Sequence, residues 1–207
     1  GTMARKKALL DFSEKHNLKI GTIADLINYR ILNEKTVEKI DQKSVRTEYG
    51  KFNLILYKDL IFDETHLVLQ KGKISKNSQT LVRVQQSNFF HDLLNINEFG
   101  ARWSVSDSMK KINEAGKGII LLIDGENKKQ DEFYEINASK KKRITAPNND
   151  PRRIGIGSQI LRDLGVQKIQ LMGSEVRYPS LSGFDLEVTE YLNCLLYTSD
   201  AADDCRC

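Results

Sequence analysis

Cysteine is absent from residues 1–193 of this 207-residue chain; all three, Cys194, Cys205 and Cys207, fall in the short stretch after them. The body of the protein therefore has neither a disulfide framework nor a thiolate metal site. Long apolar runs are also missing. The longest, residues 119–123, falls far short of the roughly 20 residues needed to cross a bilayer, so no membrane partner is expected. Residues 1–7 lack the apolar segment of a signal peptide, which makes a cytoplasmic location the expectation. With only 3 prolines, 13 glycines and 40% hydrophobic residues, the chain is neither collagen-like nor wholly disordered. No strong excess of one charge exists either: 32 Lys and Arg oppose 28 Asp and Glu. The acidic residues Asp200, Asp203 and Asp204 make the remainder somewhat more basic than the whole. That balance is short of a nucleic-acid footprint, and the basic run 140–143 (Lys140, Lys141, Lys142, Arg143) lacks interleaved aromatics. No nucleic-acid partner is expected, and the run reads as a solvated loop or surface helix.

What is present suggests one full domain and part of another, at about 150 residues per domain. Leu9, Leu10 and Phe12, then Leu18 and Ile20, follow a helical pattern, and Thr22 is placed to cap a second helix over 22–32. The polar residues 33–44 read as a linker. After Val45 the period changes. Runs at 52–57 (FNLILY), 66–70 (HLVLQ) and 81–85 (LVRVQ) predict an antiparallel group of strands. A helix is predicted over 105–115, ended by Gly116, followed by a fully apolar strand at 118–124. A second helix over 154–164, closed by Gly165, precedes strands at 168–172 and 186–191. The fold class is therefore α/β with α+β character, a mixed sheet with antiparallel strands and packed helices.

Two stretches carry a family resemblance. Residues 1–5 (GTMAR), His16, Asn17, Leu18 and the run 23–30 (IADLINYR) resemble the C-terminal end of 3,4-dihydroxy-2-butanone 4-phosphate synthase. Residues 46–52 (RTEYGKF) and above all 150–166 (DPRRIGIGSQILRDLGV) resemble GTP cyclohydrolase II. The order is similar to that of fused riboflavin-biosynthesis proteins. The resemblance implies residues 1–32 as the end of a synthase domain, 33–44 as linker, 45–193 as a GTP cyclohydrolase II-like domain, and a homodimer.

It also implies a site that this chain departs from. The family's zinc, which activates water for ring opening, is held by three cysteines: one in an S-E-C segment, two in a C-D-C pair. The first ligand position here is Asn88, and the C-D-C pair, aligned back from Gly116, falls near Phe99, Gly100 and Ala101. His91 and Asp92 do not replace three thiolates, and His91 reads as a surface residue. In place of the family's E-G-R segment the chain has Asp124, Gly125, Glu126 and Asn127, with no arginine until Arg143, and its T-N-N-P-x-K segment becomes residues 173–178, with Glu175 set against a polyanion. Arg83 and Ser87 remain as substrate-binding remnants. Asp150 and Arg152 keep the D-x-R motif, which the family uses as proton acceptor and as phosphoryl-accepting nucleophile, although Ile154 stands where the family has Tyr. The same two residues equally fit a helix-entry charge and a salt-bridged arginine.

The expectation is a riboflavin-pathway fragment whose cyclohydrolase-like domain is non-catalytic and structural or regulatory, carrying no cofactor. The synthase's magnesium site would lie upstream of Gly1, in the synthase domain that is its partner. The alternative is a residual metal-independent phosphoryl or pyrophosphate-releasing activity through Asp150 and Arg152. Residues 194–207 resemble the translation of a sequencing adapter, a tail outside the fold.

Overall fold

The computed structural model describes residues 5–22, 25–26, 29–30, 33–86, 92, 103–123, 151–175 and 179–194. The chain forms two compact units, Gly1–Glu34 and Lys35–Cys207. In the first, helix α1 (Lys6–Lys15) buries none of its residues, and Leu9, Leu10 and Phe12 are all exposed. Downstream in the same unit Thr22 caps as its residue type predicts. Its hydroxyl accepts from the Asp25 amide at 3.0 Å, while the Asp25 carboxylate accepts from the Thr22 amide at 3.1 Å.

The second unit is built on one seven-stranded sheet: β1 (Val37–Thr47), β2 (Gly50–Asp59), β3 (Thr65–Lys71), β4 (Thr80–Gln86), β5 (Gly118–Ile123), β6 (Lys168–Met172) and β7 (Glu187–Leu192), in the order β1-β2-β3-β5-β4-β6-β7. Pairs β1/β2, β2/β3 and β3/β5 are antiparallel; β4/β5, β4/β6 and β6/β7 are parallel. Helix α2 (Val105–Ala115) crosses from β4 to β5, and helix α3 (Pro151–Asp163) follows β5 and precedes β6. This mixed α/β sheet is the class expected.

Two expectations are corrected. The segment 33–44 is not a linker throughout, because β1 begins at Val37 and pairs residue by residue with β2 as far as Thr47↔Gly50. Only Val37 of this strand is buried. It is an edge strand solvated on both faces, so its composition matches that of a linker, and its order comes from backbone pairing. Its charges, together with a register shift between Lys39 and Asp41, guard the open edge. Strand β4 also leaves the expected antiparallel group: it lies between β5 and β6 and is parallel to both.

Local chemistry fixes the corners. Between β1 and β2 the Thr47 hydroxyl donates to the Gly50 carbonyl (2.9 Å) and accepts from the Tyr49 amide (3.2 Å). Gly50 has φ 115°, and a β-carbon there would sit 2.6 Å from Asn113 Oδ1. Helix α2 starts at Ser104, which accepts from the Asp107 amide at 3.0 Å, and stops at Gly116 in the left-handed region. It lays Met109 and Ile112 on Phe52, Leu81, Ile120 and Met172, each fully buried apolar side chain stabilising by roughly 1.5–3 kcal/mol. Helix α3 covers strands β4 and β5. At Gly157 it approaches so closely that a β-carbon would stand 3.3 Å from Ile123 and 3.9 Å from Val84.

Candidate functional site

Because β4, β5 and β6 run parallel, their C-terminal ends at Gln86, Ile123 and Met172 point to the same side of the sheet. This is where open α/β sheets place ligands. The motif segments expected to hold substrate all follow these strand ends, and α3 enters there, with Arg153 donating to the Gln86 side chain. Ser87, Asn88, His91, Phe99, Gly100, Ala101, residues 124–149 and Asp150 lie outside the described residues, as do 176–178. Of the family's zinc positions the chemistry of the donor set still decides the fit. Asn, Phe, Gly and Ala supply no thiolate, so these positions do not match a three-cysteine zinc site.

Arg152 is described, and it is engaged. On the first turn of α3 it pairs with Glu64, just before β3, and its guanidinium lies 3.7 Å from the centre of the Phe62 ring. Both charged side chains are partly buried, at 30% and 22% exposure. Phe62 belongs to the β2–β3 turn, which is self-supporting. The Asp59 amide donates to the Glu64 carbonyl (2.8 Å), and the Asp59 carboxylate accepts from the amides of Ile61 (2.7 Å) and Phe62 (3.3 Å). Since β3 is antiparallel to β5, this turn stands at the same edge as the ends of the parallel strands.

Arg83 sits in the middle of β4 and spends its donors on the protein. Nη1 bonds the Met172 carbonyl (2.8 Å), Nη2 the Trp103 carbonyl (3.2 Å) and Nε the Gln85 side chain (2.9 Å). It joins β4 to the end of β6 and the approach to α2. Beside it, Gln85 donates to the Asp92 carboxylate at 3.1 Å, and the Trp103 indole donates to the Leu192 carbonyl at 3.0 Å.

The far end of α3 is held as firmly. Gln159 accepts from the Thr36 amide at 2.9 Å, and Asp163 accepts from Tyr57 (2.8 Å) and Lys35 (3.1 Å). Burial pushes the Asp163 carboxyl up, but the bonds from Tyr57 and Lys35 and the charges of Lys35 and Lys39 outweigh it and hold the group below its ordinary value. Burial, with the bond to Asp163 and that residue's charge, raises the Tyr57 phenol well above its usual range.

Sequence reasoning missed Glu64, Phe62, Asp59 and His66. The first three read as the polar and apolar filling of a hairpin turn, and His66 as the opening residue of a strand. Nothing local in the sequence marks Arg152 as the residue that reaches them.

The GTP cyclohydrolase II family model matches residues 38–193. The chain is 43% identical over 194 residues to a 3,4-dihydroxy-2-butanone 4-phosphate synthase of Pseudomonas aeruginosa, covering 93% of this chain and 53% of that protein. It is 35% identical to the riboflavin biosynthesis protein RibBA of Aquifex aeolicus, over 92% of this chain and 50% of the relative. The crystal structure of RibBX, a two-domain 3,4-dihydroxy-2-butanone 4-phosphate synthase from A. baumannii, superposes with a TM-score of 0.57 at 40% identity, again over 92% and 50%. The chain thus spans about half the length of the relatives it matches. With the family model matched across the whole sheet and both its helices, the chain belongs to the GTP cyclohydrolase II family.

Proposed function

We propose that this chain acts in riboflavin biosynthesis as the non-catalytic, structural or regulatory half of a 3,4-dihydroxy-2-butanone 4-phosphate synthase-type protein. The observation that carries the reading is a cyclohydrolase II domain with no cysteine before Cys194, in a family whose zinc needs three. Arg152 supports it: the arginine of the D-x-R motif is stacked on Phe62 and paired with Glu64. So does Arg83, whose donors are turned to carbonyls of the chain itself. The names of the relatives supply the synthase half of the proposal. Residues 1–32 close that synthase domain, the intact protein is a cytoplasmic homodimer, and this half holds no zinc.

Incubating the chain with GTP and either magnesium or zinc tests the reading directly. No formate and no formylpyrimidine product are expected; release of either at a rate above a protein-free control refutes it.

A further inference from the structure

The same sheet edge carries a donor set that the cyclohydrolase resemblance does not assign. Asp59 closes β2, Glu64 immediately precedes β3, and His66 lies within β3. One ligand atom from each, two carboxylate oxygens and one imidazole nitrogen, lie within 4.8 Å of one another. Asp59 and His66 are 1% and 0% exposed, while Glu64 keeps 22% of its side chain in contact with solvent. The set is therefore largely desolvated yet reachable from one side.

Charge and geometry both favour a cation there. Two carboxylates meet in this desolvated space, and Arg152 brings one positive charge to them. Buried carboxylates are stabilised by pairing or by metal coordination, and a single guanidinium balances half of their charge. Their oxygens are also divided between roles. Asp59 uses Oδ1 for the amides of Ile61 and Phe62, and Glu64 uses Oε2 for Arg152, so Oδ2 and Oε1 take neither of these bonds. The hydrogen bond from the Asp59 amide to the Glu64 carbonyl fixes the spacing of the two carboxylate-bearing residues before any ion arrives.

We propose that Asp59, Glu64 and His66 form a binding site for one divalent first-row transition-metal ion. Two hard oxygens and one imidazole suit manganese, iron or zinc better than calcium or magnesium. Three protein ligands leave coordination positions for water. The ion ties the β2–β3 turn to the buried His66 of β3, and through the shared Glu64 it is one side chain away from Arg152 on α3. The site uses none of the family's cysteine positions and stands whether or not the chain turns over GTP.

Manganese is the probe of choice, because the thiols of Cys194, Cys205 and Cys207 compete for zinc far more than for manganese. Titrating the full chain with Mn2+ should remove the free-ion electron paramagnetic resonance signal at one ion per chain. Pulsed measurements should then show modulation from an imidazole nitrogen. Glu64→Gln should weaken binding by about tenfold or more, and His66→Gln should abolish the nitrogen modulation. Glu114→Gln, on the exposed side of α2, should change neither. A free-ion signal not reduced by the chain at up to one equivalent of Mn2+, bound ion without nitrogen modulation, or modulation that survives His66→Gln overturns the proposal. Should the buried His66 variant fail to fold, unchanged affinity in Glu64→Gln overturns it equally.

Discussion

The Arg152 guanidinium stacks 3.7 Å from the centre of the Phe62 ring while Glu64 pairs with it from the side. Stacking and pairing together latch the first turn of α3 to the β2–β3 turn. The pair is neither fully exposed nor fully buried, so its loss should fall between the two extremes. Arg152→Ala is expected to destabilise the domain by about 1–3 kcal/mol. Arg152→Lys should recover only part of this, because a compact ammonium neither lies flat on a ring nor bonds two ways. Urea unfolding midpoints at constant slope report both values. An Arg152→Ala midpoint equal to wild type would remove the latch.

An arginine held in this way should not also serve as a phosphoryl acceptor. Mixing the wild-type chain with GTP in the presence of a chelator should release no pyrophosphate, as measured by a coupled phosphate assay. Release that disappears in Arg152→Ala would instead establish the metal-independent activity through Asp150 and Arg152 as the working one.

The Tyr57–Asp163–Lys35 chain makes stability depend on pH in two opposite places. Asp163 has its carboxyl held below the ordinary 3.8. Its contribution is therefore complete above that value and disappears as pH falls through the lower folded-state value. Asp163→Asn should lower stability at pH 7 and flatten the loss of stability on the acid side of pH 4. Tyr57 behaves in reverse. Its phenol is raised from 10.0, so its contribution is complete below pH 10 and is lost as pH rises through the folded-state value. Tyr57→Phe keeps the ring but leaves Asp163 without its 2.8 Å donor, a loss of about 1–2 kcal/mol at neutral pH. Thermal unfolding of the three proteins from pH 3 to 11 checks the signs.

How far the fold could be read in advance depended on whether the information was local. Helix α2 was legible to its ends, because Ser104, Asp107 and Gly116 cap it with their own side chains and backbone. Gly165 likewise marks the stop after α3, at φ 81°. The direction of β4 was not legible. An apolar run such as Leu81, Val82 and Val84 has the same pattern whether its neighbours run with it or against it, and only the crossover through α2 decides. Strand β1 was hidden for another reason: Glu38, Lys39, Asp41 and Lys43 face solvent, and pairing with β2 leaves no periodicity in them. At the site, the motif identified Arg152 but not its partners. Glu64 is 88 positions away in the chain, and nothing in a hairpin turn announces which helix will close over it.

Arg83 allows a prediction of a different kind, because two of its partners are backbone carbonyls. Arg83→Met preserves most of the side-chain volume and removes the donors to Met172 and Trp103. Leaving these partly buried acceptors without the arginine should cost about 1–3 kcal/mol. Hydrogen exchange should quicken at the end of β6 and at the start of α2, with β1 and β2 unaffected. Uniform quickening would mean that the arginine acts on global stability alone.

Gly116 and Gly118 stand two residues apart and should fail for different reasons. At Gly116 the obstacle is conformational: φ is 70° and no atom lies within 4 Å of an added β-carbon, so Gly116→Ala should cost about 1 kcal/mol. At Gly118 the obstacle is space. A β-carbon there would stand 2.8 Å from Ile112 Cγ1 and 2.8 Å from the Leu81 carbonyl oxygen. Ile112 is 0% exposed and Leu81 belongs to β4, the neighbour of β5, so neither neighbour moves without cost. Gly118→Ala should therefore destabilise by about 1–3 kcal/mol through overpacking. Ile112→Ala alone should cost about 2–5 kcal/mol by opening a cavity. Combined, the new methyl enters part of that cavity, so the double variant should be more stable than the sum of the two losses predicts. The backbone oxygen of Leu81 stays in the way, so the relief should be partial. Additive losses in a double-mutant cycle would show that α2 shifts away from β5 instead of clashing with it.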